Sequence, residues 1–399
     1  MKILVISQCF YPETFRINDL CFRLAEQGHQ VTVLTGYPNY PEGYIYPEYR
    51  DKKIKREQIR GVDVVRVNIC QRRKNPVSRV LNYFSFALTA AWKTLFLDRD
   101  YDRVFVFQVS PVTQIFPAWV YKLKNKAPVV ANCQDLWPDS IKVFGFKEPS
   151  LIFSMVRAMS RWLYRRCDLI INSSPGFEAY LQRVCGIPAQ KQRYLPNFAE
   201  DFYLEFGNRL HEDGKRHLLF AGNIGKAQSL NTVVEAVAAL DPAIREKLTV
   251  DFLGDGSYLE DLQQLIRDQA LESHFVFHGR KPLDQLREYY EMADGFLLTL
   301  AGDSPVSLTI PSKLQSYMGA GKPVLAAING GAREVIEAAQ CGACVAAGDA
   351  EAFAAILKEF VLHPEEYRTM GEAGRAYFEQ HFTIQKYIAG LLAMMEETV

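Results

Sequence analysis

The chain has no run of 18 or more apolar residues, so no segment is expected to cross a bilayer as a helix. It has no charge excess either. Its 46 Lys and Arg balance 46 Asp and Glu, which excludes a nucleic-acid binder held by overall charge. Nothing after the first apolar run spells GxGxxG, which weighs against NAD or FAD chemistry. No cluster of His, Cys, Asp and Glu shows metal-ligand spacing, so no metal site is expected. The eight cysteines are scattered among apolar residues, as reduced buried thiols are. Cys341-Gly-Ala-Cys344 is a lone CxxC, without a second pair or a nearby His. Met1-Lys2-Ile3-Leu4-Val5-Ile6 enters a strand directly with no cleavable leader pattern, so the cytoplasm is the expected location.

What is present points to two domains. A chain of 399 residues, 48% of them hydrophobic, exceeds one ordinary domain and supplies two sizeable cores. Short Val/Ile-rich runs alternate with helix-periodic segments. The expected strands of the first half are Lys2–Ser7, Gln30–Leu34, Val62–Val67, Arg103–Phe107, Val129–Asn132 and Leu169–Asn172. Those of the second half are His217–Phe220, Leu248–Leu253, Phe275–His278, Gly295–Leu298, Pro323–Ala327 and Cys344–Ala347. They are apolar along both faces, as parallel strands covered by helices are. The fold class is therefore α/β, with two doubly wound Rossmann-like domains facing across a cleft. Their expected bounds are residues 1–196 and 217–382, joined by a polar linker at 197–216. A last helix, 383–399, is free to pack back on the first domain.

Several loops follow strands on the edge where such sheets bind ligands. In the first half, Glu13, Arg16 and Asn18 follow strand one and suit a polar substrate, or else a capped helix start. Tyr37, Asn39 and Tyr40 belong to a stiff Pro/Gly-punctuated aromatic loop; it suits the C–H face of a sugar, or a plain turn. Asp135 and Asp139 follow a buried strand. Asp139 beside Pro138 fits a helix cap, which leaves Asp135 as the carboxylate to orient or deprotonate an acceptor hydroxyl.

In the second half, Thr309-Ile310-Pro311-Ser312-Lys313 runs into a short helix that stops near Gly321. A helix N-terminus with a lysine offers backbone N–H groups, a dipole's positive end and a charge to an anion. Gly222-Asn223-Ile224-Gly225-Lys226, with Gln228, forms a Gly-rich strand-to-helix loop. Gly254 lies in another such loop, and Arg280 and Lys281 supply cations after a third strand. Convergence of these loops on one edge argues for a nucleotide diphosphate more strongly than any one of them.

A separate feature occupies residues 51–97. Residues 51–80 carry ten Lys and Arg, among them Arg72, Arg73 and Lys74, against three Asp and Glu. Leu81, Phe84, Leu88 and Trp92 then fall on one helical face. A basic run followed by an apolar stripe fits a membrane interface; a core helix explains the stripe equally.

Taken in order, Tyr11-Pro12-Glu13, Gly28-His29, Leu34 through Gly43, Asp135-Leu136-Trp137-Pro138, Leu195-Pro196-Asn197, Gly222 through Gly225, and Pro311 through Val324 resemble the family-4 glycosyltransferases of the GT-B fold. The resemblance is to the bacterial subgroup that builds O-antigen and capsule repeat units, N-acetylfucosaminyl transferases included. It implies a retaining, metal-independent enzyme without a cofactor. The second domain would hold a nucleotide-sugar donor, UDP-linked and N-acetylated, and the first an acceptor saccharide on a polyprenyl diphosphate at the inner membrane leaflet. It implies donor contacts at Asn223, Gly225, Lys226, Gln228, Gly254, Arg280, Lys281, Thr309, Ile310, Ser312, Lys313 and Ser316. The chain departs from the family pattern in three places. Asn223 and Gln228 stand where Arg and Lys usually grip the diphosphate. Leu308 and Ser316 replace a glutamate pair, one member of which holds the ribose. A glycine pair is replaced near Thr14-Phe15-Arg16. A sugar-nucleotide epimerase of the same fold, and an inactive membrane scaffold, are the alternatives.

Overall fold

A computed structural model describes residues 1–398, apart from 74, 99, 147, 208–212 and 303–304. The chain divides into two compact units, Met1–Leu195 with Ile388–Val399, and Pro196–Tyr387.

The first unit is built on eight strands: β1 (Lys2–Ile6), β2 (Gln30–Gly36), β3 (Arg56–Ile59), β4 (Val62–Val67), β5 (Arg103–Gln108), β6 (Val129–Cys133), β7 (Leu169–Asn172) and β8 (Gln192–Tyr194). Their order is β3-β4-β2-β1-β5-β6-β7-β8, parallel throughout except where β3 pairs antiparallel with β4. β1 is Lys-Ile-Leu-Val-Ile with its last four residues buried, because β2 and β5 flank it and helices cover both faces. The strand order reverses between β1 and β5, so the loops leaving these two strands open the ligand edge. The helices are α1 (Arg16–Glu26), α2 (Pro76–Thr94), α3 (Ile115–Asn125), α4 (Leu151–Tyr164) and the short α5 (Gly176–Tyr180). α2 starts cleanly because Pro76 occupies its first turn and the Asn75 side chain accepts from Ser78 N. The Ser150 side chain caps α4 in the same way.

The second unit is a six-stranded parallel sheet: β9 (Arg216–Ala221), β10 (Leu248–Leu253), β11 (Phe275–Gly279), β12 (Gly295–Thr299), β13 (Val324–Ala327) and β14 (Gly342–Val345), in the order β11-β10-β9-β12-β13-β14. α6 (Asn231–Ala239), α7 (Pro242–Arg245), α8 (Leu259–Asp268), α9 (Leu286–Met292), α10 (Ser312–Gly319), α11 (Gly331–Ala339), α12 (Ala350–Leu362) and α13 (Pro364–His381) follow the strands. Adjacent residues of β12 feed opposite cores. Phe296 stacks on Tyr317 at 4.1 Å, whereas Leu297 packs with Phe220, Phe252 and Phe353. α14 (Ile384–Glu397) ends the chain; from Ile388 onward its residues belong to the first unit, where Arg103 Nε donates to Met395 O at 2.6 Å.

Three expectations need correction. Part of the expected linker is core, because Ala199, Tyr203 and Phe206 are buried in the second unit. β14 begins two residues before the expected Cys344. β3 and β8 are additional strands, one a polar edge and the other three residues long.

Candidate functional site

All six strands of the second unit run parallel, so the loops leaving β9 to β13 share one edge. Backbone hydrogen bonds knit them together. Gly222 N donates to Leu253 O at 2.8 Å, Ile224 N to Asp255 O at 2.9 Å and Gly254 N to Gly279 O at 3.0 Å. Ala301 N donates to Ala227 O at 3.0 Å, and Thr299 Oγ1 donates to Gln228 O. Gly254 is obligatory here. Its φ is +151°, and a methyl group on it would lie 1.8 Å from Gly222 O.

Lys313 projects from the first turn of α10 into this network. Its Nζ donates to Gln228 Oε1 at 3.0 Å and lies 3.8 Å from the centroid of the Phe220 ring. A methyl group on Gly222 would come within 3.2 Å of the same nitrogen. Among the described residues no carboxylate forms an ion pair with it. Burial pushes its pKa down to about 7. A half-buried lysine with no carboxylate partner among the described residues, beside a glycine loop and a helix N-terminus, suits an anionic ligand.

The other expected donor residues separate into groups. Asn223 is exposed at the rim of the loop, and Gly225 is buried beneath its side chain. Lys226 is exposed and reaches Asp261 at 3.7 Å. Arg280 is exposed, while Lys281 Nζ sits 5.6 Å from the Tyr289 ring. Thr309 is half-buried and Ser312 exposed at the start of α10. Ile310 is core. Ser316 is buried and its hydroxyl donates to Ser312 O at 3.4 Å within the helix.

Two positioning residues escape sequence reasoning. Phe220 floors the lysine, and Tyr317 clamps the end of β9 by accepting from Ala221 N at 2.9 Å. Both look like ordinary core aromatics in sequence. Gly330 at the start of α11 belongs to the same edge. Its φ is +74°, and a methyl group there would lie 2.3 Å from Ser307 O. The Gly330-Gly331 pair after a strand was its signal.

In the first unit several expected acceptor residues hold loops instead. Glu13 is 1% exposed and accepts from Asn39 N (2.8 Å), Tyr40 N (2.7 Å) and Phe10 N (3.2 Å). Burial raises its pKa to about 7 against those hydrogen bonds. Asn18 donates to Glu13 O and accepts from Tyr11 N. Tyr37 is packed with Ile45 and Tyr49, and its hydroxyl donates to Lys52 O; it is core, not a sugar platform. Asn39 is buried and accepts from Arg72 N and Asn82 Nδ2. Tyr40 remains exposed, 5.4 Å from Phe15, and Arg16 is half-buried in the first turn of α1. Asp135 is half-buried. Its Oδ2 accepts from both the backbone N–H and the hydroxyl of Ser110 at 2.7 Å, which fixes the carboxylate between the β5 and β6 exits.

The basic run and stripe also divide. Arg72 is half-buried, and its guanidinium lies against Tyr40 (5.2 Å) and Tyr83 (5.7 Å). Arg73 is exposed, and Lys74 lies outside the described residues. Leu81, Phe84, Leu88 and Trp92 all stand exposed on α2, with Leu88 at 62% and Trp92 at 68%. No helix among the described residues is long and apolar enough to cross a membrane.

Two Rossmann-like units, one on a parallel sheet and one on a sheet parallel but for its β3 edge, have the architecture of the GT-B fold. Residues 14–197 match the model of the glycosyl transferase 4-like domain, and residues 204–377 that of the glycosyl transferases group 1. The chain belongs to this glycosyltransferase family. It is 25% identical to WcaI of Escherichia coli K12, named for colanic acid biosynthesis glycosyl transfer, over 80% of this chain and 82% of that one. It is 24% identical to WbjE of Pseudomonas aeruginosa, named as a glycosyltransferase, over 71% and 72% of the two chains. Among solved structures it resembles Anabaena HepE in complex with UDP, with a TM-score of 0.72, 16% identity and full coverage of both chains. WaaG, a glycosyltransferase involved in lipopolysaccharide biosynthesis, gives 0.66 at 14% identity, covering 97% of this chain and 98% of its own. At these identities the solved structures establish the fold.

Proposed function

We propose that the protein transfers a sugar, N-acetylated, from a UDP-sugar to a saccharide carried on a polyprenyl diphosphate, with retention at the anomeric carbon, in assembling a bacterial surface polysaccharide. The observation that carries the donor half is the half-buried Lys313, desolvated inside the glycine-loop network and unpaired with any carboxylate among the described residues. The bond from the anomeric carbon to the diphosphate oxygen breaks, an acceptor hydroxyl oxygen bonds to that carbon from the same face, and the hydroxyl proton passes to the departing diphosphate oxygen. Lys313 and the first-turn N–H groups of α10 take up the charge on the leaving diphosphate, the task a metal performs elsewhere. Asp135, fixed by Ser110, orients the acceptor hydroxyl. The names of WcaI and WaaG support the polysaccharide setting. The exposed α2 stripe supports work at the inner membrane leaflet, where a lipid-linked acceptor resides. Calorimetry with UDP tests the donor half: micromolar binding that Lys313→Met abolishes is expected, and no binding of UDP or any other nucleotide refutes it.

A further inference from the structure

The exposed apolar surface does not end at α2. α3 packs beside α2, and α4 meets α3 through Trp119 and Trp162, whose ring centroids are 4.8 Å apart. α4 repeats the pattern of α2, with Leu151 at 76%, Met155 at 63% and Trp162 at 37% exposed along one stripe. Leu123 continues it on α3. None of the three helices contains an Asp or Glu, although together they carry six Lys and Arg. α8 shows what an ordinary solvent-facing helix of this chain looks like: it exposes Glu260 and carries Asp261 and Asp268. Apolar patches spanning three helices exceed what a soluble surface normally leaves open.

At the C-terminal ends of α3 and α4 lies an open pocket of 370 Å³ lined by Trp119, Lys122, Lys126, Arg165, Arg166 and Lys191 among others. Five of the lining residues are cations, and one of them, Lys122, pairs with Asp168 at 2.5 Å. Arg166 lies 3.5 Å from the Trp162 ring centroid, its Nη1 donating to Trp162 O while its Nε is buried without a partner. A guanidinium on an indole at the rim of an apolar face is the arrangement that meets a lipid phosphate just above the acyl region.

We propose that α2, α3 and α4 together form a docking face for an anionic bilayer, and that the Trp119–Arg166 pocket receives a lipid phosphate headgroup. The occupant follows from charge: an acid-free apolar face with a cationic rim complements anionic lipid, whereas a second copy would set two cationic rims against each other. The inference deepens the lipid-linked-acceptor reading and locates the bilayer on the structure, but it stands independently of which sugar moves.

Sedimentation of the full chain with vesicles tests it. The wild type pellets with phosphatidylcholine–phosphatidylglycerol vesicles, at least tenfold less with phosphatidylcholine alone, and is released by high salt. The paired variants Leu151→Ser/Met155→Ser and Lys126→Glu/Arg165→Glu each lose at least tenfold in vesicle binding. UDP binding in the same samples reports that the second unit is intact. Wild-type pelleting by both pairs overturns the proposal, as does a dimer in free solution that the α4 pair converts to monomer, or binding of inorganic phosphate without vesicles. Vesicle binding by a protein that binds no nucleotide would refute the transferase reading alone; nucleotide binding without vesicle binding would refute this inference alone.

Discussion

Donor binding should draw a proton onto Lys313. In the free protein its ammonium is half neutralised near pH 7, against an ordinary value of 10.5, because it is desolvated over Phe220 with a single amide oxygen as partner. A diphosphate alongside restores the charged form and the ordinary pKa or higher. Between pH 7 and pH 9 the protonated fraction of the free lysine then falls from about one half to about one hundredth. The bound form stays protonated, so the Kd for a UDP-sugar should rise about 50-fold, near 2 kcal/mol. A nucleotide sugar is the right probe, because its diphosphate does not titrate in this range. Calorimetry at pH 8 in buffers of different ionisation enthalpy should report uptake of about 0.9 proton per donor bound. The same linkage acts on folding. The unfolded chain binds the proton and the native chain does not, so the free protein should gain stability as pH rises from 7 towards 10.5. Lys313→Met should accordingly stabilise the free protein at pH 6, by about 2 kcal/mol once the partial exposure of Lys313 is allowed for, while abolishing donor binding. A Kd flat from pH 7 to 9 with no proton uptake would mean that the diphosphate does not sit beside Lys313.

The other expectations follow from single contacts. Gly254→Ala forces a methyl group onto Gly222 O and should cost about 3 kcal/mol or more in chemical denaturation, together with loss of UDP binding. His217 is partly buried, which lowers its pKa, but its hydrogen bonds to Asp251 (2.8 Å) and Asp213 (3.1 Å) outweigh that and raise it above 6.5. Its share of stability is present below pH 6.5 and lost as pH rises through the folded value, and thermal melts of His217→Asn between pH 6 and 8 should show a flatter slope than wild type. Glu13→Ala strands three backbone N–H groups and should cost about 3 kcal/mol by urea titration. The Cys341 and Cys344 thiols are pushed up to about 12 by burial, so Ellman's reagent on native protein should label Cys70, the exposed thiol, quickly and these two slowly.

Twelve of the parallel strands were legible as short apolar-rich runs between helix-periodic segments, but the parallel β8, Gln-Arg-Tyr, was not. β3 was not, since Arg-Glu-Gln-Ile is a polar edge with no such signature. The loop edge around Lys313 was legible as glycine spacing and a lysine at a helix start. What the sequence could not show is that Lys313 crosses to Gln228, because that contact joins positions 85 residues apart. The first loops misled for a related reason. Tyr37 and Glu13 look like ligand groups until Ile45, Tyr49 and the Asn39 backbone are seen to surround them. The apolar stripes of α3 and α4 were silent because such stripes normally face a core, and only the folded chain shows them facing out.

The most direct measurement is transfer itself. Purified protein with a panel of nucleotide sugars and a polyprenyl-diphosphate-linked acceptor, followed by mass spectrometry and NMR of the anomeric proton, should give one sugar added to the acceptor from a UDP-linked donor, with the donor's anomeric configuration kept. Inversion, or epimerised nucleotide sugar formed without any acceptor, would contradict the account.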